Sequence, residues 1–218
     1  MIGGTGDAAT GGAPKGPGES DLRALEAEHR IKNHLQLLAS YARQASRKRG
    51  LTAGELAEDL SDKLIAIAGA HDALYQAGGA ERAPALAFLQ TLLAAFPAAP
   101  HIAQVDCDAE LRLPAEELAP IGMIVSEAVS NALKHAFPTD RPGSIWLSLV
   151  EACGRVHLTI RDDGVGLPDR PLGRVSGKGL IEALARQLGG SASIGNAPEG
   201  GTVVSVVYPR RDAGTAAT

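Results

Sequence analysis

The sequence predicts an α+β fold: an antiparallel pair of long helices, then a sandwich of one sheet covered by helices. Three observations carry that prediction. Before Gly78-Gly79, apolar residues recur every three or four positions over two long stretches, which is helical periodicity. After it, residues such as Val156, Leu158 and Ile160 alternate with polar ones at the two-residue period of a strand. Helical and strand-like segments then follow in a mixed order that indicates a helix-covered antiparallel sheet.

On these signals the 218 residues divide into 1–19, 20–80, 81–210 and 211–218. The first part is mostly Gly, Ala, Thr and Pro with no apolar run, and reads as a disordered leader, not a signal peptide. The last reads as a frayed tail. At 44% hydrophobic residues the chain can build a core, and at 3% aromatics that core is one of Leu, Ala, Val and Ile. A net charge of −4 gives no footprint for nucleic acid or for an acidic membrane surface. The most apolar stretch, 83–99, is interrupted by Pro84, Gln90 and Pro97 and falls short of the roughly 20 apolar residues a span requires. Cys107 and Cys153 match no metal-ligand spacing. The expectation is a reduced, soluble, cytoplasmic protein with no membrane segment in this chain and no nucleic-acid partner.

The first helix is expected over 20–50, with Ser20 as N-cap beside Asp21 and a stop at Gly50. Ile31, Leu35, Leu38, Ala42 and Ala45 recur at alternating steps of four and three, the seam of a bundle. Thr52 and Glu55 have capping-box spacing and open a second helix, with Leu56, Leu60, Leu64, Ile67, His71 and Leu74 on its seam. Joined by a short turn, the two form an antiparallel hairpin. A lone hairpin leaves apolar sides uncovered, which predicts a homodimer forming a four-helix bundle. His71, on the seam, reads as a packed core histidine. A short helix over 86–96 follows, stopped by Pro97 and Pro100, then strands over 102–107 and 111–113. Pro114 with Glu116-Glu117 suits the start of a long helix reaching Ala136. Strands over 144–151 and 155–161 are joined by an Ala-Cys-Gly turn. A polar loop, 164–177, leads to a helix over 180–188, and strands over 191–194 and 202–208 close the sheet as a hairpin.

Four stretches carry chemistry. On the first helix, at about 100° per residue, His29, Asn33, Gln36 and Ser40 share the face opposite the seam, with Glu26 and Lys32 one turn to either side of His29. A histidine displayed in this way is within reach of another domain; taken alone, the stretch reads first as an ordinary solvated face, and the rest of the chain shifts the balance. On the long helix, Glu127, Asn131 and His135 are spaced i, i+4, i+8, with Lys134 on an adjoining face. Hard oxygen ligands and a positive charge on one side suit a Mg–phosphate group, and Asn is a poor helix-interior residue without a task. Asp162-Asp163-Gly164-Val165-Gly166 directly follows a strand, where a carboxylate can accept from an exocyclic amine and glycines admit a flat ring. Asp-Gly is also everyday turn chemistry. Gly177-Lys178-Gly179-Leu180 opens a helix whose exposed N–H groups and dipole favour phosphate. With Gly173 it imitates a P-loop, but it is one residue short and Gly179 stands where the Mg-binding hydroxyl belongs, so that reading is rejected.

In their order and spacing, the histidine helix, the E-x-x-x-N helix, D-x-G-x-G after a strand and G-x-G-L at a helix start resemble a sensor histidine kinase over residues 21–209. The segment E-x-x-H-R-x-K-N-x-L-Q, 26–36, further resembles the HWE-related subfamily, in which Arg follows the acceptor histidine. Strict members carry Trp-x-Glu near the first glycine motif; Trp146 here has Ser148 in that place, which points to the sister group. The resemblance implies a dimerisation and phosphotransfer hairpin over 20–80 and an ATP-binding domain of the GHKL (Bergerat) type over 81–210. By the same resemblance His29 is the phospho-acceptor, Asn131 holds Mg²⁺, and Glu127 orders the metal and its water. Lys134 and His135 contact phosphates. Asp162 binds the adenine amine, Gly164 and Gly166 line the base pocket, and Gly177, Lys178, Gly179 and Leu180 border the phosphates under a mobile lid.

The implied activity is ATP-dependent autophosphorylation of His29 and transfer of the phosphoryl group to an aspartate of a response regulator. Positioning and Mg²⁺ would supply most of the catalysis, with Glu26, ahead of Glu28, fixing the imidazole tautomer from the face it shares with Asn33. Three rivals share parts of this pattern. A histidine phosphotransfer protein needs the hairpin but no nucleotide. An anti-sigma serine kinase needs the ATPase half but not the histidine. A phosphatase-dominated member binds ATP yet mainly dephosphorylates its partner.

Overall fold

The computed structural model describes residues 19–45, 52–96, 102–138, 142–167 and 176–211. The expected leader up to residue 18, the stop at Gly50, the loop over 168–175 and the tail from 212 lie outside the described residues. In chain order come α1 (Glu19–Ala45), α2 (Ala53–Gln76), β1 (Arg82–Pro84), α3 (Ala85–Ala94), β2 (Ile102–Cys107), β3 (Arg112–Pro114), α4 (Ala115–His135), β4 (Ile145–Ala152), β5 (Arg155–Asp162), α5 (Ser176–Gln187), β6 (Ser191–Asn196) and β7 (Thr202–Pro209).

The helix starts follow local chemistry. Thr52 caps α2 as expected: its hydroxyl accepts from Glu55 N at 3.2 Å while the Glu55 carboxylate takes the Thr52 N–H at 2.8 Å. Such a box is worth about 1 kcal/mol. Ser20 is already helical in α1, because the helix begins at Glu19, so it is not the cap the sequence suggested.

Within the single chain the predicted hairpin seam is covered only in part: Leu38 packs on the core and Ala45 is buried. In α1 the buried residues are His34, Tyr41 and Ala45, whereas Ile31 and Leu35 are 47% and 59% exposed. The inward row can carry polar tips because α2 partners them. Tyr41 donates its hydroxyl to Asp59 at 3.0 Å, and His34 meets the His71 ring edge-on at 5.5 Å. In α2, Leu56, Leu60 and Leu74 pack against the core and Ile67 is buried, but Leu64 is 54% exposed. Nor is the hairpin alone: Lys63, Ala66 and Ala70 bury a second face of α2, and α2 packs more extensively on α4 than on α1. Gly122 permits that approach, since a Cβ there would lie 3.1 Å from Phe88 Cζ and 3.3 Å from the Ala66 carbonyl oxygen. The second side of the hairpin is therefore covered within the chain, and the exposed stripe on α1 and α2 is what remains for another molecule.

The sheet has the order β2-β4-β5-β7-β6 among the described residues. Its pairs are antiparallel except β2–β4, which is parallel; β1 and β3, the first unforeseen, form a separate short ribbon. One face is apolar in register: Leu147, Ile160 and Val204 form one row, and Leu149, Leu158 and Val206 the next, all buried beneath α4 and α5. Each such side chain contributes roughly 1.5–3 kcal/mol on burial. The β4–β5 turn has positive φ at Cys153 (52°) and Gly154 (70°), as a two-residue type I′ hairpin demands. On the other face Arg161 lies over the Trp146 ring at 5.6 Å and pairs with Glu199 at 2.8 Å. Among the described residues no helix is long and apolar enough to cross a membrane.

Candidate nucleotide-binding site

The central sheet row ends where α4 ends, and the cleft opens between them. Its walls are Ala128 and Ala132 of α4 with Ala136 just beyond it, Ile160, Ile194 and Val204 of the sheet, and Ile181 of α5; Asn131, His135, Lys178 and Thr202 supply its polar rim and Asp162 its floor. The cavity proper is about 190 Å³ and opens broadly to solvent. Small residues on α4 facing branched residues on the sheet leave a flat apolar slot.

Asp162 closes the deep end and is 5% exposed. Its Oδ1 accepts from Gly164 N at 2.9 Å and Thr202 N at 3.1 Å, which fixes the carboxylate; Oδ2 takes no hydrogen bond among the described residues. An exocyclic amine in the slot would find a pre-oriented charged acceptor there. Three glycines allow this. Gly164 lies so close to Ala136 that no Cβ fits, and the loop is tied there by Val165 N to Ala136 O at 3.0 Å. Gly166 (φ 76°) lines the cleft. Gly201 (φ 82°) abuts the Asp162 carbonyl with no room for a side chain. Asn196 fixes the outer edge, accepting from Leu167 N at 2.6 Å and donating to Leu167 O at 3.3 Å.

The four polar residues singled out on α4, Glu127, Asn131, Lys134 and His135, divide in two directions. Asn131 and His135 face the cleft. Asn131 Nδ2 donates to Glu127 Oε1 at 3.0 Å, so its Oδ1 is the atom left for the cleft. Glu127 and Lys134 instead turn toward α2. Glu127 Oε2 lies 2.6 Å from Nζ of Lys63, a residue with no solvent exposure whose ammonium also sits 5.5 Å from the Tyr41 ring centre. Lys134 Nζ donates to Asp59 Oδ1 at 2.9 Å. Burial disfavours the Asp59 anion, but the hydrogen bond and charge of Lys134, the Tyr41 hydroxyl and the Lys63 charge together hold its carboxyl below the usual range. Burial likewise opposes the Lys134 charge, and Asp59, with Asp62 and Glu58 nearby, outweighs it and raises that pKa. Burial first, and the Glu127 and Asp59 charges second, push the Tyr41 phenol upward.

Helix α5 begins at Ser176, earlier than expected, so Gly177, Lys178, Gly179 and Leu180 form its first turn. Gly177 rests on the Glu127–Asn131 pair: a Cβ would strike Glu127 Oε1 and lie 2.8 Å from Asn131 Nδ2. Lys178 is exposed at the cleft rim and Leu180 is buried. His29 is exposed on α1, with Asn33 Nδ2 3.4 Å from its Nδ1. The Glu26 side chain lies outside the described residues. Twelve residues, about 18 Å of helix, separate His29 from Tyr41, which is the level of α1 where the Glu127–Lys63 pair sits.

The cleft thus gathers Asn131, His135, Asp162, Gly166 and Lys178, with Gly164 packed on Ala136 and Gly177 on Asn131, whereas His29, Glu127, Lys134, Gly179 and Leu180 do not line it. Thr202, Asn196, Lys63 and Asp59 were not singled out from the sequence. A Gly-Gly-Thr ahead of the last strand was the available signal for Thr202; nothing marked the others.

Comparison with known proteins bears on both halves. Residues 26–98 match the family model described as "Histidine kinase", and residues 117–212 that of the "Histidine kinase-, DNA gyrase B-, and HSP90-like ATPase". Blue-light-activated histidine kinase 2 of Erythrobacter litoralis is 30% identical over 203 residues, 88% of this chain and 58% of that protein. The chain therefore spans little more than half the length of that relative. The solved histidine kinase domain of a blue-light-activated histidine kinase from Erythrobacter litoralis superposes with a TM-score of 0.66 at 28% identity, covering 88% of this chain and 92% of that one. The anti-sigma F factor of Geobacillus stearothermophilus is 46% identical over 61 residues, 28% of this chain and 42% of that protein.

Proposed function

The chain belongs to the histidine kinase family, with the GHKL fold in its ATPase domain, and on that premise we propose that it phosphorylates its own His29 from Mg-ATP and passes the phosphoryl group to an aspartate of a response regulator. The observation that carries this reading is the pairing of an exposed imidazole on α1 with an open cleft whose deep end offers a pre-oriented Asp162 oxygen. The adenine amine would bind Asp162 Oδ2, with the ring between the α4 alanines and Ile160. Lys178 and His135, at the rim, would meet the phosphates. Among the described residues no three His, Cys, Asp or Glu side chains cluster as a metal site. This fits Mg²⁺ held by Asn131 Oδ1 alone from the protein, with phosphate and water oxygens completing the set. Bound there, Mg²⁺ would neutralise charge on the phosphates.

For transfer, a neutral imidazole nitrogen of His29 attacks the γ-phosphorus; the N–P bond forms as the bridging P–O bond breaks, and ADP leaves with that electron pair. Asn33 sits on Nδ1, and with its amide turned so that Oδ1 accepts the Nδ1 proton, the lone pair is on Nε2. Glu26 is the proposed second orienting group. The exposed Leu25, Ile31, Leu35 and Leu64 form the surface proposed to pair with a second copy in a homodimer. A cytoplasmic location and the HWE-related subfamily belong to the same reading. The likeness to anti-sigma F factors supports a second one, in which the ATPase half phosphorylates a serine of another protein.

Labelled ATP with Mg²⁺ separates the two. The proposal expects an acid-labile, base-stable phosphate on the chain, lost in His29→Gln. Acid-stable label, or label retained by His29→Gln, would contradict it.

A further inference from the structure

Glu127 and Lys134 of α4 are turned away from the cleft, and each is held by an opposite charge on α2. Glu127 has both oxygens engaged, Oε2 by Lys63 at 2.6 Å and Oε1 by Asn131 at 3.0 Å. Lys134 is held by Asp59 at 2.9 Å. The two α2 residues lie four apart, one helical turn, so both contacts make and break together with the seating of α2 on α4. Tyr41 ties α1 into the same cluster through its hydroxyl to Asp59. In this arrangement His29 is about 18 Å further along α1 than Tyr41, the residue that ties α1 to the cluster.

We propose that Lys63 and Asp59 form a two-point charge latch, and that Mg-nucleotide opens it by exchanging partners: a phosphate replaces Asp59 at Lys134, and Mg²⁺ with its water replaces Lys63 at Glu127. This inference rests on the Mg-ATP reading given above. The exchange is chemically matched, anion for anion and cation for cation, so Glu127 and Lys134 stay paired while α2 is released. Lys63 then passes from full burial, and Asp59 from partial burial, into water, where neither needs a partner. Because the latch must open for full nucleotide contact, its closure lowers the apparent nucleotide affinity by the fraction of molecules competent to bind. By linkage, nucleotide must loosen α2 to the same extent.

Lys63→Met leaves the buried Glu127 carboxylate without its cation, which favours undocking; Asp59→Asn frees Lys134, whose side chain is 35% exposed and can be solvated where it stands, so its push toward undocking is weaker. Lys63→Met keeps the length of the side chain and deletes the charge; Asp59→Asn makes the complementary change on the neighbouring turn. The test is calorimetry of the full chain with a non-hydrolysable ATP analogue and Mg²⁺, alongside hydrogen exchange of the α2 amides. Lys63→Met is expected to bind the analogue on the order of tenfold more tightly than wild type, and Asp59→Asn more tightly by a smaller factor. In wild type, α2 exchange should rise on adding Mg-analogue; in the variants it should be high beforehand and change little. Unchanged or weaker binding in both folded variants, or α2 protection that does not fall when wild type binds the analogue, overturns the latch while leaving the kinase reading intact. Wild type that binds no analogue overturns that reading and the latch with it. Should Lys63→Met fail to fold, Asp59→Asn decides.

Discussion

Asp162→Asn is the substitution whose effect can be worked through most fully. The side chain keeps its volume, and its amide oxygen can still accept from Gly164 N and Thr202 N, the two contacts that now hold Oδ1 at 2.9 and 3.1 Å. Losing the charge on that acceptor should cost the fold about 1 kcal/mol, a fall in Tm of about 2–4 °C. Binding suffers far more. The position now held by Oδ2 becomes an NH₂ group facing the adenine amine, donor against donor. A hydrogen bond to a charged acceptor is lost, at roughly 1.5–3 kcal/mol, and a buried donor is left unpaired, at roughly 1–3 more. The sum corresponds to about two to four orders of magnitude in Kd. The same NH₂ can donate to a 6-oxo purine, so the preference for adenine over guanine nucleotide should collapse or invert. Calorimetry with non-hydrolysable ATP and GTP analogues, beside a melting curve, measures all three quantities. A folded Asp162→Asn variant that binds the ATP analogue within about threefold of wild type, under 1 kcal/mol, would refute the role given to this carboxylate.

Two further outcomes test other parts of the account. Glu117 is buried and accepts from Tyr208 at 2.9 Å; burial raises its carboxyl pKa, with the Tyr208 bond opposing. The folded state thus keeps a proton that the unfolded chain has released, and stability falls as pH rises from the ordinary carboxylate range through the raised folded value. Glu117→Gln should therefore stabilise the protein by about 1 kcal/mol at pH 8 and by almost nothing at pH 4, read by denaturant unfolding at both. Leu35→Glu, at a 59% exposed position, should leave monomer stability within about 0.5 kcal/mol yet shift a sedimentation series toward monomer; wild type that is monomeric at every concentration would remove the proposed interface.

The layered domain was legible because its strands carry clean alternation, and the binary pattern of Val156, Leu158 and Ile160 matches the observed core face. Motifs whose glycines have steric reasons were legible too: Gly164 and Gly177 sit where the structure has no room for a side chain. Of the predicted hairpin seam Ala45 is buried and Leu38 packs on the core, while Ile31 and Leu35 stay exposed in the single chain; what periodicity did not mark is the buried row of Tyr41 and His34, whose polar tips find partners on α2. Lys63 could not be read at all. A lysine on a helix scores as solvent-facing, and it is the Glu127 carboxylate, 64 residues away in sequence, that makes its burial tolerable. The turning of Lys134 to Asp59 has the same origin, a tertiary charge contact that leaves no local trace. The parallel β2–β4 pair was hidden because strand polarity depends on the path of α4 between them, not on the residues of either strand.

The central claim is that His29 is the residue that accepts phosphate from ATP. Its most direct test is fragment mapping, under neutral conditions that preserve phosphoramidates, of the full chain after incubation with Mg-ATP. The account predicts the added phosphate on the fragment containing His29, on an imidazole nitrogen. Phosphate on His34, on a serine or threonine, or none at all from a chain that demonstrably binds the nucleotide, would contradict it.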